Sequence, residues 1–197
     1  MLAVAAGSEQ ITRAMRALEA AFLIGVEGVT EVWLIRHADC YQGIVDTTDP
    51  ALSSLGREQA AHLAKRVRRA QPAAVYASPF KRAMETAKAI GGEVQVDDRL
   101  VEMKLVVNED GSMDLQEPPS GVIERMRAAV DEMVLRHAGQ RIVAVSHGAA
   151  IIAYLSDVLR LEPGQLRMLP YYTSISVVRA LGDRRMVGAL GDTAHLE

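Results

Sequence analysis

The sequence predicts an α/β fold, in the form of a three-layer α/β/α sandwich with a largely parallel central sheet. Short apolar segments that are typical of buried strands alternate along the chain with longer segments that are typical of helices. Strands that alternate with helices favour a sheet that is covered by helices on both faces. The predicted strands are residues 31–37, 72–78, 93–97 and 141–146, with two late strands near 173–180 and 185–190.

Helices are predicted between these strands from capping residues and turns. Residues 49–54 have the composition of a loop and a helix cap, and they lead into the first of these helices. Pro79 suits the first turn of the next helix, because a residue there needs no hydrogen-bonded N–H group. Residues 103–120 are expected to be irregular, since they contain Asn-Glu-Asp-Gly and Pro-Pro. The predicted helices are residues 54–70, 79–91, 120–137 and 148–160.

The whole chain, residues 1–197, is predicted to form a single domain, with a helical extension at 1–28 before a core at 30–195. Ser8 is expected to cap the N-terminal helix, which runs to about residue 23. Apolar side chains recur along it at helical spacing, which indicates one apolar face. We expect this face to pack on the core, rather than to form a dimer contact or lie on a membrane, because few basic residues flank it. The face comprises Ile11, Met15, Leu18 and Phe22, and the basic residues are Arg13 and Arg16.

The composition is that of an ordinary globular protein and excludes several kinds of function. Of the 197 residues, 49% are hydrophobic and 24% are charged, and the formal net charge is -3. This charge does not indicate binding to nucleic acid or to an anionic membrane, so neither partner is expected. The single cysteine, Cys40, rules out an internal disulfide framework and a zinc site built on paired cysteines. Because there is no long apolar run and only a poor secretory signal, a cytoplasmic location is expected.

Two polar dipeptides close two of the predicted strands. Arg36 and His37 end the first strand, and Ser146 and His147 end the fourth. In α/β sheets of this kind, ligands bind beyond the carboxyl ends of the strands. We therefore expect both histidines and the arginine to lie in one crevice, although they are far apart in the sequence.

Five short motifs occur in a fixed order between residues 34 and 148. They are Leu-Ile-Arg-His-Ala-Asp at 34–39, Asp-Pro-Ala-Leu-Ser followed by Gly-Arg-Glu-Gln-Ala within 49–60, Ala-Ser-Pro-Phe-Lys-Arg-Ala-Met-Glu-Thr-Ala at 77–87, Leu-Val-Glu at 100–102 and Val-Ser-His-Gly at 145–148. Together they resemble the motifs of the histidine phosphatases, a group that includes the cofactor-dependent phosphoglycerate mutases. The resemblance covers roughly residues 30–195. Its order makes it specific, because a lone Arg-His pair would carry almost no information.

The resemblance implies a phosphoglycerate mutase-like fold and a phosphoryl transfer through His37. A neutral imidazole can attack phosphorus, and the unperturbed pKa of histidine is about 6.5. Arg36 and Arg82 present planar guanidinium groups that fit phosphate oxygens, and His147 would donate a hydrogen bond or a charge to the same group. Glu102 is the implied proton donor for the leaving group and the base for the water that follows. No metal and no cofactor is expected, since the arginines and histidines neutralise the phosphate charge.

Each of these residues also has a structural interpretation that the sequence leaves open. Arg36 and Arg82 are each compatible with an ordinary surface or ion-pair arginine, and His147 with a cap of the following helix. A serine nucleophile at Ser146 is disfavoured, because the Gly-x-Ser-x-Gly elbow is missing. The carboxylates that compete with Glu102 are Asp97, Asp98 and Glu109, and the histidines with no assigned catalytic role are His62, His137 and His195.

The motif around His37 departs from the family pattern at three successive residues. Ala38 replaces the usual glycine, Asp39 stands where Glu or Gln is common, and Cys40 stands where a small hydroxyl is common. Alanine suits this position unless the backbone needs a positive φ or the methyl group lies against the phosphate. Cys40 is expected to be a small packing residue, with redox sensing as the alternative. Residues 41–46 lack the asparagine of many mutases, and the Gly-x-Trp-Glu-Gly element that often follows the acid is also missing.

The function expected from this resemblance is that of a metal-independent phosphatase acting on a small phosphorylated metabolite. A phosphoglycerate mutase is the first alternative, but it must keep its phosphoenzyme dry, and the segment 103–120 is short for that purpose. A phosphohistidine-protein phosphatase is the second, because such family members have minimal caps. The altered residues 38–39 also leave open a non-catalytic phosphate-binding protein. A homodimer is compatible with the sequence, which does not determine the oligomeric state.

Overall fold

The computed structural model describes residues 2–41 and 48–197. Residues 42–47, which include most of the segment where many mutases have an asparagine, lie outside the described residues. The strands are β1 (Thr30–Arg36), β2 (Ala74–Ala77), β3 (Val94–Val96), β4 (Leu105–Val107), β5 (Met113–Leu115), β6 (Arg141–Ser146), β7 (Ile175–Leu181) and β8 (Arg184–Asp192). The helices are α1 (Leu2–Ala21), α2 (Ser54–Ala70), α3 (Lys81–Ile90), α4 (Pro119–Arg136) and α5 (Gly148–Val158).

Six of the strands form one sheet, in the order β3-β2-β6-β1-β7-β8. The first four strands of this order pair in parallel, while β7 and β8 are added antiparallel at one edge. The sheet is therefore largely parallel, as predicted. Parallel strands need connections that cross a face of the sheet, and helices form those crossovers here.

Helices cover both faces of this sheet, because its central strands are apolar on both sides. In β1, Val32 and Leu34 belong to one cluster of buried side chains, and Ile35 belongs to another cluster on the opposite face. Side chains of α4 and α5 complete the first cluster, and side chains of α2 and α3 complete the second. The result is the three-layer α/β/α sandwich that the sequence predicts.

The N-terminal helix differs from its prediction in both position and packing. α1 begins well before Ser8, which therefore lies inside the helix and is not its cap, because the preceding residues are mainly strong helix formers. Its apolar face is not packed on the core, since Ile11 is 66% exposed and Phe22 is 53% exposed. The end of α1 is held by the buried Leu23 and by Arg184, which donates to a backbone carbonyl oxygen of the helix at 2.7 Å. No helix in the described part of the chain is long and apolar enough to span a membrane.

Two further segments differ from the sequence prediction. Pro79 precedes α3 instead of forming its first turn, because the backbone of Phe80, the N-cap, is still extended. Residues 103–120, expected to be irregular, contain β4 and β5, which form a separate antiparallel pair. The turn between them is closed by a hydrogen bond from Gly111 N–H to the Asn108 carbonyl oxygen at 2.9 Å. Gly111 has a φ of 82°, which favours glycine.

Candidate active site

The polar side chains that follow three parallel strands meet at one edge of the sheet. His37 follows β1, His147 follows β6, and Ser78 follows β2, which pairs with β6. The ring centroids of His37 and His147 lie 5.1 Å apart. Arg82 reaches the same place from the first turn of α3, and Arg36 is the last residue of β1. The structure thus brings together the two histidines and the two arginines that the sequence singles out.

His37 is buried and is held in one tautomer. It is 3% exposed, and its Nδ1 donates a hydrogen bond to the carbonyl oxygen of Ala38 at 2.8 Å. Because a carbonyl oxygen only accepts, Nδ1 carries the proton and Nε2 keeps its lone pair, which accepts from Nε of Arg82 at 3.3 Å. Burial is the main cause that lowers the pKa of His37 to about 3; the bond to Ala38 opposes it, and the charges of Arg82 and Arg36 reinforce it. His37 is therefore neutral at physiological pH.

Both arginines keep buried N–H groups that have no hydrogen-bond partner among the described residues. Arg36 donates from Nη1 to a backbone carbonyl oxygen at 2.8 Å and lies 4.2 Å from the ring centroid of Tyr172, but its Nε is unpaired. Arg82 stacks on Phe80 at 4.7 Å, and its Nη1 is unpaired apart from a 3.5 Å ion pair with Asp49. Buried donors are normally satisfied in proteins, so these N–H groups are available to the oxygens of an anion.

His147 is fully buried, and its ring is held by Ser78. Its Nε2 lies 2.8 Å from the hydroxyl oxygen of Ser78, while its Nδ1 is buried and lacks a hydrogen-bond partner in the described part of the chain. Burial is the main cause that lowers the pKa of His147 to about 2, and the neighbouring His37 and Arg82 add to the effect. The side chain makes no capping hydrogen bond to α5, although His147 occupies the N-cap position. It therefore faces the site and does not serve as a helix cap.

The carboxylate of Glu102 binds backbone N–H groups at the N-terminus of α5. It accepts hydrogen bonds from Ala149 at 3.2 Å, from Ala150 at 2.9 Å and from Met103 at 2.8 Å. A carboxylate is stabilised there, because the first N–H groups of a helix have no partner within it and the helix dipole is positive at that end. Since α5 begins directly after His147, Glu102 lies at the same edge of the sheet as the histidine.

Two of the carboxylates that compete with Glu102, and two of the histidines without an assigned catalytic role, are engaged elsewhere or exposed. Asp97 accepts a hydrogen bond from Arg99 at 2.7 Å, and Glu109 is exposed in the turn between β4 and β5. His62 bonds to a backbone carbonyl oxygen at 3.1 Å, and His137 bonds to a tyrosine hydroxyl at 2.9 Å. Of Glu102, Asp97 and Glu109, it is Glu102 whose carboxylate contacts the backbone shortly after a strand-end histidine.

Comparisons with known proteins show the family to which this chain belongs. The family model of the histidine phosphatase superfamily, branch 1, matches residues 32–116 and 107–193. This chain belongs to the histidine phosphatase superfamily. It is 30% identical to the probable phosphoglycerate mutase GpmB of Yersinia enterocolitica, over 85% of this chain and 95% of that protein. It is 28% identical to phosphoserine phosphatase 1 of Hydrogenobacter thermophilus, over 83% of this chain and 92% of that protein.

A solved structure extends the comparison to the fold. The structure of Bacillus stearothermophilus YhfR matches this chain with a TM-score of 0.73 and 25% identity, and the match covers 85% of this chain and 100% of that one. The predicted family and the predicted phosphoglycerate mutase-like fold are thereby confirmed. The relatives also support an enzyme with phosphatase activity.

In this member of the superfamily, the second of the five motifs, within residues 49–60, holds the loop that follows His37. Gln59 accepts a hydrogen bond from the N–H group of Asp39 at 2.9 Å, and the hydroxyl of Ser53 donates to the Asp39 carboxylate at 2.5 Å. A Cβ atom at Gly56 would overlap the carbonyl oxygen of Asp39, so α2 can approach the loop this closely only with glycine there. The motif therefore positions the backbone next to His37.

Ala38, which replaces the usual glycine of the family, fits its position without backbone strain. Its φ is not positive, and it packs in a small cluster with Leu52 and Ala60. Its N–H group donates to the hydroxyl oxygen of Thr86 at 3.0 Å. Burial is the main cause that raises the pKa of the neighbouring Cys40 thiol, which favours the packing role that the sequence predicts.

Three further side chains lie at the site although the sequence did not predict them there. They are Ser78, Phe80 and Tyr172. Ser78 follows β2 as the histidines follow β1 and β6, so the same strand-end signal identifies it. Phe80 lies 5.2 Å from the ring of His147. Tyr172 lies 5.9 Å from the ring of His37, in a loop that gives no sequence signal. Its neighbour Thr173 has a φ of 58° and donates from its N–H group to the last residue of β1 at 3.0 Å.

Proposed function

We propose that this protein hydrolyses a small phosphomonoester through a phosphohistidine on His37, without a metal ion. The observation that carries the proposal is the set of unsatisfied polar atoms around the nucleophile. Nε2 of His37 keeps a lone pair whose one described contact is the 3.3 Å hydrogen bond from Nε of Arg82, and nitrogen atoms of Arg36, Arg82 and His147 are buried without a hydrogen-bond partner among the described residues. Such an arrangement favours a dianionic phosphoryl group at this place.

In the first step, Nε2 of His37 attacks phosphorus in line with the oxygen of the leaving group. An N–P bond forms while the P–O ester bond breaks, and Arg36, Arg82 and His147 bind the remaining phosphoryl oxygens. Glu102 gives its proton to the departing oxygen, so the alcohol leaves as a neutral molecule.

In the second step, a water molecule attacks the phosphorus of the phosphohistidine. The carboxylate of Glu102 takes a proton from that water, the P–N bond breaks, and inorganic phosphate leaves. His37 regains its lone pair and Glu102 regains its proton. The net reaction converts the phosphomonoester and water into an alcohol and inorganic phosphate.

The names of the relatives correspond to two possible fates of the phosphoryl group, which are transfer to water and transfer within a mutase reaction. One is named as a phosphoserine phosphatase and another as a probable phosphoglycerate mutase. We favour water as the acceptor, because the hairpin that follows Glu102 is short and open, with Val106 and Val107 48% and 63% exposed. A mutase must instead keep water away from its phosphohistidine.

Trapping the phosphoenzyme tests the proposal. The native protein is mixed with phenyl phosphate and denatured in alkali, and its intact mass is measured by mass spectrometry. A parallel sample is treated with acid before the measurement. We expect one added phosphoryl group that acid removes, together with released inorganic phosphate in a standard assay that a chelator does not inhibit. His37→Ala should lose the label and lower turnover about 10⁵-fold, because it removes the attacking atom.

The matched control is His62→Ala, which removes an exposed histidine that lies on α2. This variant should keep both the label and the activity. Substantial turnover by His37→Ala would refute the mechanism. Interconversion of 2- and 3-phosphoglycerate without phosphate release would favour the mutase instead.

A further inference from the structure

An apolar groove of about 190 Å³ lies between α4 and α5, next to the candidate active site. Its walls include Ile123 of α4, Ile152 of α5 and Leu115 at the end of β5. None of the described residues that line it is charged, and Ser156 is the only one among them with a hydroxyl group. A groove of this composition suits a hydrocarbon group, because a buried charge without a partner is strongly unfavourable.

The groove lies next to Glu102, the proposed proton donor, through two lining residues that contact its carboxylate. Met103 and Ala149 both line the groove, and their N–H groups both bind the Glu102 carboxylate, at 2.8 Å and 3.2 Å. The departing oxygen of the substrate must lie beside this carboxylate to receive its proton. The rest of the leaving group can then extend along α5 past Ile152 and Ser156, which are about one and two turns beyond Ala149.

We propose that the leaving group of the substrate is an aryl or short alkyl group that occupies this groove. This proposal rests on the proposed function, since it needs the phosphoryl group at His37 and the departing oxygen at Glu102. The volume is sufficient, because an apolar protein cavity of about 150 Å³ binds benzene. Leaving groups such as serine or glycerate carry charges that the groove does not pair, so their burial there is unfavourable.

Leu115 provides an apolar surface that a bound hydrocarbon would cover. It lines the groove and is 56% exposed, and it pairs across the hairpin with Leu105, which is 37% exposed. Burial of such surface favours binding in proportion to the apolar area removed from water. Because Leu115 is exposed and lies outside the main sheet, it can be replaced with little effect on the core.

A substrate series tests the proposal. The values of kcat/KM are measured for ethyl, butyl and hexyl phosphate, together with phenyl phosphate and phosphoserine. We expect kcat/KM to rise about threefold per added methylene group until the groove is filled. Phenyl phosphate should be a much better substrate than phosphoserine. Equal values along the alkyl series, or a preference for phosphoserine, would overturn the proposal.

Two variants of the hairpin show whether the groove causes the preference for longer alkyl groups. Leu115→Asp should lower the ratio of kcat/KM for hexyl to ethyl phosphate about tenfold, because it places a charge on the groove wall. Val107→Asp is the matched control, since Val107 is 63% exposed in the other strand of the hairpin and does not line the groove. An unchanged ratio in Leu115→Asp, or an equal fall in both variants, would contradict the groove assignment.

Binding of phosphonates separates this proposal from the proposed function. Hexylphosphonate and ethylphosphonate cannot be hydrolysed as esters, so calorimetry with the native protein measures their binding without turnover. Tighter binding of hexylphosphonate that Leu115→Asp abolishes supports the groove, whereas equal affinities refute it. Absence of turnover and of a phosphoenzyme with every ester would refute the proposed function alone.

Discussion

The two halves of the candidate site differ in how firmly the fold holds their side chains. In the phosphate half, His37 and His147 follow central parallel strands and are 3% and 0% exposed. In the leaving-group half, Glu102 precedes a separate two-stranded hairpin, whose Val107 and Leu115 are 63% and 56% exposed. Central strands fix the direction of the side chains at their ends, whereas two short strands have little stability of their own. Under the proposed mechanism, the sheet positions the nucleophile and the phosphate-binding groups, whereas the proton donor and the groove for the leaving group lie on the side of the hairpin.

Arg82→Ala tests whether the phosphate half contributes equally to kcat/KM for all substrates, whatever their leaving group. The variant removes a buried donor that binds the transferring phosphoryl group in the proposed mechanism, so kcat/KM should fall about 10³-fold for aryl and alkyl phosphates equally. Inorganic phosphate should also inhibit it less strongly than it inhibits the native protein. Steady-state kinetics measures both effects, and Arg127→Ala, at an exposed arginine of α4, serves as the control. A loss that depends strongly on the leaving group would contradict the division of the site into two halves.

Glu102→Gln addresses the leaving-group half. Because the variant lacks the proposed proton donor, kcat on alkyl phosphates should fall about 10²-fold or more, while phosphate binding stays native. The defect should shrink for p-nitrophenyl phosphate, whose leaving group needs little protonation, and the phosphohistidine should accumulate in a quench experiment. Native rates on ethyl phosphate would assign the acid to another carboxylate, and Asp39 and Glu109 would be examined next.

Gly56→Ala measures how tightly the phosphate half is packed. The new methyl group would overlap the carbonyl oxygen of Asp39, so the free energy of unfolding should fall by about 1–3 kcal/mol. Gly121→Ala is the matched control, because Gly121 is also helical and the nearest atom to its Cβ lies 3.8 Å away. That change should stabilise the protein by up to about 1 kcal/mol through helix propensity. Chemical denaturation of both variants gives the comparison, and equal stabilities would contradict the close approach of α2 to the loop.

The phosphate half could be predicted from the sequence because its signals are local. Strands β1 and β6 appear in the sequence as apolar segments that end in polar pairs, and parallel strands bring such ends to one edge. The motif residues of α2 could be recognised but not explained from sequence. Their role depends on the approach of Gly56 to Asp39, which is a contact between residues far apart in the chain.

Other features gave no such signal. Strands β4 and β5 have three residues each, too few for an alternating pattern, and turn hydrogen bonds between Asn108 and Ser112 hold them together. The amphipathic pattern of α1 predicts an apolar face but not what covers it, and Ile11 is in fact exposed. Tyr172 reaches the site through the left-handed backbone of Thr173, a conformation that threonine rarely adopts.

The hydrogen bond from Nδ1 of His37 to the carbonyl oxygen of Ala38, 2.8 Å long, restricts the isomer of the proposed phosphohistidine. A ring nitrogen that keeps its proton and donates it has no lone pair for phosphorus, so Nε2 alone is available. The proposed phosphoenzyme is therefore the τ regioisomer, without the π form. Because the tautomer is fixed by the backbone, this regiochemistry is set before any substrate binds.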